Sequence, residues 1–139
     1  RRDLVNLFER ESRLAIDNTR PTMLAIPAPS FNQDHEAVFK AAITACRPHL
    51  AELKPFQRVV LIADSPQLAW SRDVFKPNLY IDISDCLDLK LLAFSKHVSQ
   101  QKPAPHMGGI DTLRLLAEMR GREISVRAAE AYECLRFVV

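Results

Sequence analysis

The sequence predicts an α/β fold, a sheet covered by helices on both faces, and three observations carry that expectation. Helical and strand-like segments alternate along the chain. Two short apolar runs, "TMLAI" at 22–26 and "RVVLIA" at 58–63, have the composition of strands buried on both sides. The 139 residues fit one ordinary domain and can bury a sizeable core.

The elements follow in order. Residues 3–17, "DLVNLFERESRLAID", put Leu4, Leu7, Phe8, Leu14 and Ala15 on one face at helical spacing. The strand at 22–26 follows Pro21 and is closed by Pro27 and Pro29. A helix is expected from Asp34 to Cys46, with Val38, Ala41, Ala42 and Ala45 inward and Pro48 as its stop. The β-branched run at 58–63 is the strongest strand signal, and "LYIDI" at 79–83 alternates like a strand with one face less buried. Ser84 is placed to cap a helix over 85–98, in which Leu87, Leu91 and Phe94 share a face. The link "QQKPAPHMGG" leads to a helix over 110–120 that stops at Gly121. A strand-like tail, "AYECLRFVV", ends the chain. No repeat, low-complexity tract or internal linker interrupts it, so residues 1–139 read as a single domain.

Composition narrows the function. Hydrophobic residues make up 47% and charged residues 26% of the chain, as in a soluble globular protein. The net charge is +2, and the 19 Lys and Arg are scattered, without the basic stripe that nucleic acid requires. No apolar run approaches the roughly 20 residues of a membrane span, and no signal-peptide pattern opens the chain. Cys46, Cys86 and Cys134 are odd in number and form no CxxC pair, which predicts a reducing cytoplasm. The chain opens on Arg1-Arg2 with no initiator Met, and an amphipathic run starts at once. Both features predict a sequence that begins inside a larger protein.

With only Gly108, Gly109 and Gly121, the chain has neither a P-loop nor a GxGxxG, and no GxSxG elbow is present. What remains is "PAPSFNQDHEAVFKAA" at 27–42, where four polar side chains in a row, Asn32 to His35, stand between an apolar run and a helix. Ligands of open α/β sheets bind in such loops, beyond the carboxyl ends of strands. The amides of a helix N-terminus there favour developing negative charge. His35 can offer a nitrogen to a metal and Asp34 can orient a neighbouring group. The alternative is that Asn32 or Asp34 caps the helix while His35 is solvated. One His is also short of the three protein ligands that a catalytic zinc takes.

Beyond this local reading, "NQDHEAVFKAAITACRP" resembles the "NxDH…AAxxAxRP" segment of the LmbE/PIG-L superfamily of zinc-dependent N-deacetylases. "FKPNLYIDIS", "KLLAFSKHVSQ" and "PHMGG…LLAEMRGREISVRAAEAY" resemble three further segments of that family in the same order, so the similarity spans about Asn32 to Arg136. The resemblance implies a Rossmann-like α/β/α sandwich with a mainly parallel sheet, of which this chain is the C-terminal portion with the N-terminal strands missing. It implies removal of an acetyl group from an N-acetylamino-sugar (N-acetylglucosamine-type) conjugate. It makes His35 the third ligand of a Zn2+ ion, whose other ligands and general base lie in an N-terminal His-Pro-Asp-Asp motif. That motif is absent from these 139 residues, so the chain alone is expected to be inactive. Asn32 stands where some relatives carry His; its amide can still donate to an oxyanion but cannot become cationic.

Asn32 and Asp34 are thus the candidate catalytic residues, His35 the candidate metal ligand, and His106, at the matched "HPRS" position, a candidate substrate contact. An exposed loop histidine is the other reading of His106. Glu130 reads as a structural carboxylate meeting Arg120. Cys46 and His49, three apart, read as packing residue and bystander, because Pro48 breaks the geometry between them. His97 reads as part of a solvated helix face, and Trp70 and Phe75 as aromatics filling the rim of the core, with stacking on a sugar ring as the other reading. Relatives of this family are often oligomers, though no interface is legible here. A non-catalytic scaffold or binding domain of the same fold is the alternative function, motivated by the missing zinc motif.

Overall fold

The computed structural model of the chain describes residues 2–71 and 73–139. It is a mixed α/β protein. Five α-helices are described: α1 (Arg2–Asn6), α2 (Ile16–Thr19), α3 (Gln33–Ala45), α4 (Leu87–Ser95) and α5 (Ile110–Glu123). The four described strands are β1 (Met23–Pro27), β2 (Val59–Ala63), β3 (Leu79–Asp82) and β4 (Ala129–Phe137), hydrogen-bonded in the order β1-β2-β4-β3. The chain divides into two compact units, residues 1–63 with 134–139 and residues 64–133.

In the first unit β1 and β2 pair in parallel, with Met23 opposite Val59 and Pro27 opposite Ala63. Parallel neighbours need a crossover, and α3 supplies it. Alanine makes that helix thin on one side: Ala41, Ala42 and Ala45 are fully buried, so α3 can lie close against β1. Val60, Leu61 and Ile62 are buried in succession, as expected of a strand covered on both faces. Arg136 from the end of β4 ties the unit together, donating to the carbonyls of Gln57 and Cys46 at 2.9 Å each, with its guanidinium 4.9 Å from the centre of the Phe56 ring.

The helix expected over 3–17 is broken. α1 runs into one turn of π-helix at Leu7–Glu11, the chain leaves helical geometry at Ser12, and α2 is a separate single turn. Ser12 competes with the helix locally: its hydroxyl accepts from the Leu14 amide at 3.1 Å and its carbonyl from the Ala15 amide at 2.9 Å. Leu14, expected inward, is 74% exposed in consequence.

The second unit is built by β3, α4, α5 and the start of β4. Leu87 and Leu91 from α4, Ala117 from α5 and Ala128 form its buried cluster, with Ile83, Ile110 and Leu113 packed against them. β3 and β4 are antiparallel, Leu79 opposite Tyr132 and Asp82 opposite Ala129. The expected mainly parallel sheet is therefore corrected: β1–β2 is the one parallel pair and the sheet is mostly antiparallel. The reason is connectivity. Two helices in succession, α4 and α5, pack against each other between β3 and β4, and an even number of traverses brings the chain back running the opposite way.

Two expected helix boundaries also move. Ser84 does not cap α4; its hydroxyl donates to Asp82 at 2.5 Å, and the helix starts at Leu87 behind Cys86. Gly121 does not stop α5. The helix continues to Glu123 and ends with Ser125 in left-handed conformation (φ 62°), the Val126 amide reaching back to the Gly121 carbonyl at 2.9 Å and the Ser125 amide to the Arg122 carbonyl at 3.3 Å.

Candidate functional site

The loop from β1 to α3 stands at the carboxyl end of a parallel strand. Ala28 and Ser30 are buried in it, and the Ser30 hydroxyl accepts from the Asn32 amide at 3.2 Å. Asn32 is the cap of α3: its Oδ1 accepts from the backbone amides of Asp34 (3.0 Å) and His35 (3.4 Å). Using Oδ1 in this way leaves the Nδ2 amide as a donor. Asp34 is exposed and His35 half-buried on the first helical turn. The His35 imidazole has no hydrogen-bond partner among the described residues, so both its nitrogens are available. The structure thus brings Asn32, Asp34 and His35 together, and the cap is Asn32 rather than Asp34. Replacing Asn32 with Ala should lower stability by about 1 kcal/mol, read as a shift in the urea unfolding midpoint without a change in slope.

No group of three or more His, Cys, Asp or Glu side chains that could hold a metal ion occurs among the described residues. His35 is therefore in no such group.

His106 belongs to the second unit. It is exposed and held from four directions: its amide donates to the Pro103 carbonyl at 3.0 Å, its carbonyl accepts from the Gly109 amide at 2.9 Å and the Thr112 hydroxyl at 3.2 Å, and its Nδ1 accepts from the Gly108 amide at 2.9 Å. With Nδ1 accepting, the neutral ring carries its proton on Nε2 and presents it outward as a donor. Gly109 fits because a Cβ there would sit 3.1 Å from the carbonyls of His106 and Lys102.

Glu130 does not meet Arg120. It accepts from Lys90 at 2.7 Å and from the Tyr132 hydroxyl at 2.5 Å. Burial pushes its carboxyl up, but the hydrogen bonds from Lys90 and Tyr132 outweigh this and hold it below the ordinary value of 4.5; burial and then Glu130 itself push the Tyr132 hydroxyl up. A carboxylate depressed in the folded state stabilises the fold above its unfolded value and loses that contribution as pH falls through the folded one. Glu130→Gln should therefore lie below the native protein in stability near neutrality, and the gap should close as pH falls through and below the ordinary carboxylate range, followed by denaturant titration at stepped pH.

Arg120 instead binds Asp64, which follows β2 directly. Nε donates to Asp64 Oδ2 and Nη1 to Glu123 Oε1, both at 2.7 Å, and the Tyr80 hydroxyl donates to Glu123 Oε2 at the same distance. The Asp64 and Arg120 side chains are only 8% and 13% exposed. Burial pushes the Asp64 carboxyl up against the pull of Arg120; burial also opposes the charge of Arg120, but its bonds to Asp64 and Glu123 outweigh it and hold the guanidinium charged. Sequence reading missed this network. Its one available signal was the position of Asp64 at the end of the strongest strand run.

Cys46 and His49 do not form a reactive pair. The Cys46 thiol is buried, directed at the Ile43 carbonyl at 3.7 Å, and burial raises its pKa, whereas His49 is exposed with Nδ1 accepting from the Leu50 amide at 2.9 Å. Two cavities are formed by described residues. One of about 450 Å³ in the first unit is lined largely by charged groups, Glu9, Arg10, Asp17, Arg47 and Lys54 among them. One of about 420 Å³ in the second is lined by Asp64, Arg120 and mainly apolar side chains. No helix among the described residues is long and apolar enough to cross a membrane. No protein-family model matches the sequence, and no curated protein is significantly similar to it.

Proposed function

We propose that this chain is part of a zinc-dependent N-deacetylase of the LmbE/PIG-L type, acting in the cytoplasm on an N-acetylamino-sugar conjugate. The observation that carries the reading is the four family-like segments in order, the first of which, "NQDH", falls at the capped start of α3. The local chemistry supports it. Asn32 serves as the cap through Oδ1, which frees His35 to bind a metal and leaves Nδ2 to donate to an oxyanion at the amide carbon under attack. Asp34, beside the ligand, orients it, and His106 offers Nε2–H to a substrate hydroxyl or carbonyl. A hydrolytic zinc takes three protein ligands and keeps a fourth position open; this chain supplies one of the three.

The second reading is a non-catalytic domain of the same fold, and the lack of a three-ligand group among the described residues favours it. One experiment separates the two. The protein expressed from its complete reading frame is assayed for zinc per chain and for acetate release from an N-acetylglucosamine conjugate. About one zinc per chain, with acetate released, supports the deacetylase; neither supports the scaffold. An upstream His-Pro-Asp-Asp in that frame points the same way as the first outcome.

A further inference from the structure

The geometry points to a small-molecule site in the second unit, in the cavity of about 420 Å³ beside Asp64 and Arg120. Its ligand is a neutral molecule with an aromatic or other apolar body and a carbonyl or hydroxyl acceptor. No candidate residue of the β1–α3 loop lines this cavity.

The size falls within the range of small-molecule sites. Leu68, Val74, Phe75, Leu116 and Met119 are the large apolar side chains of the wall, and two of them are left open to water, Val74 at 78% and Met119 at 48% exposure. An apolar body seated there returns these side chains to an apolar environment. The polar end is already organised. Nε and Nη1 of Arg120 are fixed by Asp64 and Glu123, and its guanidinium carbon lies 5.6 Å from the centre of the Phe75 ring. The third nitrogen, Nη2, has no protein partner among the described residues. No buried side-chain nitrogen or oxygen among them lacks a partner, so Nη2 is open to solvent and can donate to a ligand.

Charge decides what that ligand is. Arg120 faces the carboxylates of Asp64 and Glu123, and Asp73 also lines the cavity, so the single positive charge of Arg120 is already more than matched. A ligand carboxylate or phosphate would add a further negative charge next to Asp64 and Glu123 and is disfavoured. A neutral acceptor takes the free donor without that repulsion, and the clamped guanidinium gives up little freedom in donating to it.

Benzamide, an aromatic ring bearing a neutral carbonyl, is the probe, with benzoate as its anionic counterpart. The full protein is titrated with each and amide chemical shifts are followed. Saturable shifts confined to residues 64–75 and α5, at millimolar benzamide, are expected, with benzoate at least about tenfold weaker. Met119→Trp, which fills the mouth from a half-exposed position, should weaken benzamide about tenfold; Val74→Asp, at a well-exposed position, serves the same purpose if tryptophan disturbs the fold. Three results overturn the proposal: no saturable shifts up to about 10 mM benzamide, benzoate binding as tightly, or binding unchanged in whichever variant keeps the native spectrum.

Discussion

His35→Ala is expected to remove zinc from the full-length protein and to abolish deacetylation while leaving the fold intact. The retained fold follows from the start of α3, and the loss of zinc from the proposed role of His35 as a ligand. The imidazole has no partner among the described residues, and the capping bonds belong to Asn32 Oδ1 and to the His35 backbone amide, which alanine retains. Stability should therefore change by no more than about 0.5 kcal/mol. Under the proposed function the metal, by contrast, would lose one of its three protein ligands. Removal of an outer partner alone costs about 10–100-fold in metal affinity or activity, so loss of a direct ligand should take zinc content to near zero after dialysis. The measurements are zinc per chain by atomic emission, acetate release, and thermal unfolding on the same sample. Native zinc content and turnover in the variant would exclude the deacetylase assignment.

Gly121→Ala should damage the second unit more than any other single-methyl change. Two effects oppose each other at this position. In an open helix interior alanine is favoured over glycine by about 1 kcal/mol. Here, however, a Cβ would stand 2.7 Å from the Ala128 nitrogen, the Ala128 Cα and the Val126 carbonyl oxygen. All three are backbone atoms, so no side-chain rotation relieves the overlap, and α5 has to move away from the chain leading into β4. Ala128 is also part of the buried cluster with Leu87, Leu91 and Ala117, so that movement opens the core. Overpacking typically costs about 1–3 kcal/mol and more where nothing yields, which makes about 3 kcal/mol or more the expectation against a total of roughly 5–15. Hydrogen exchange should show amide protection falling in α4, α5 and β4. A variant as stable as the native protein would mean that α5 and the turn after it can separate without cost.

The same glycine shows why sequence reading succeeds and fails where it does. A glycine near the end of a helical pattern resembles a stop, and Gly121 was placed as one; the residue that actually adopts the left-handed conformation is Ser125. Nothing local distinguishes a glycine that turns the chain from one that lets another segment approach. Arg120 is similar: its need for a carboxylate was readable, but Glu130 and Asp64 are equal candidates until the fold brings one of them to 2.7 Å.

Local pattern alone located the strands expected at 22–26 and 58–63 and found at 23–27 and 59–63, the alanine face of α3, the capped helix start in "NQDH", and the Leu87–Leu91 face of α4. Each depends on residues within a few positions of one another, where period and capping chemistry are written directly in the chain. Tertiary structure decided the direction of the sheet, the break at Ser12, the partners of Arg120 and Glu130, and the cavity beside Phe75. These depend on which distant segments meet, and a side chain's burial, charge balance and available donors are fixed only once they do.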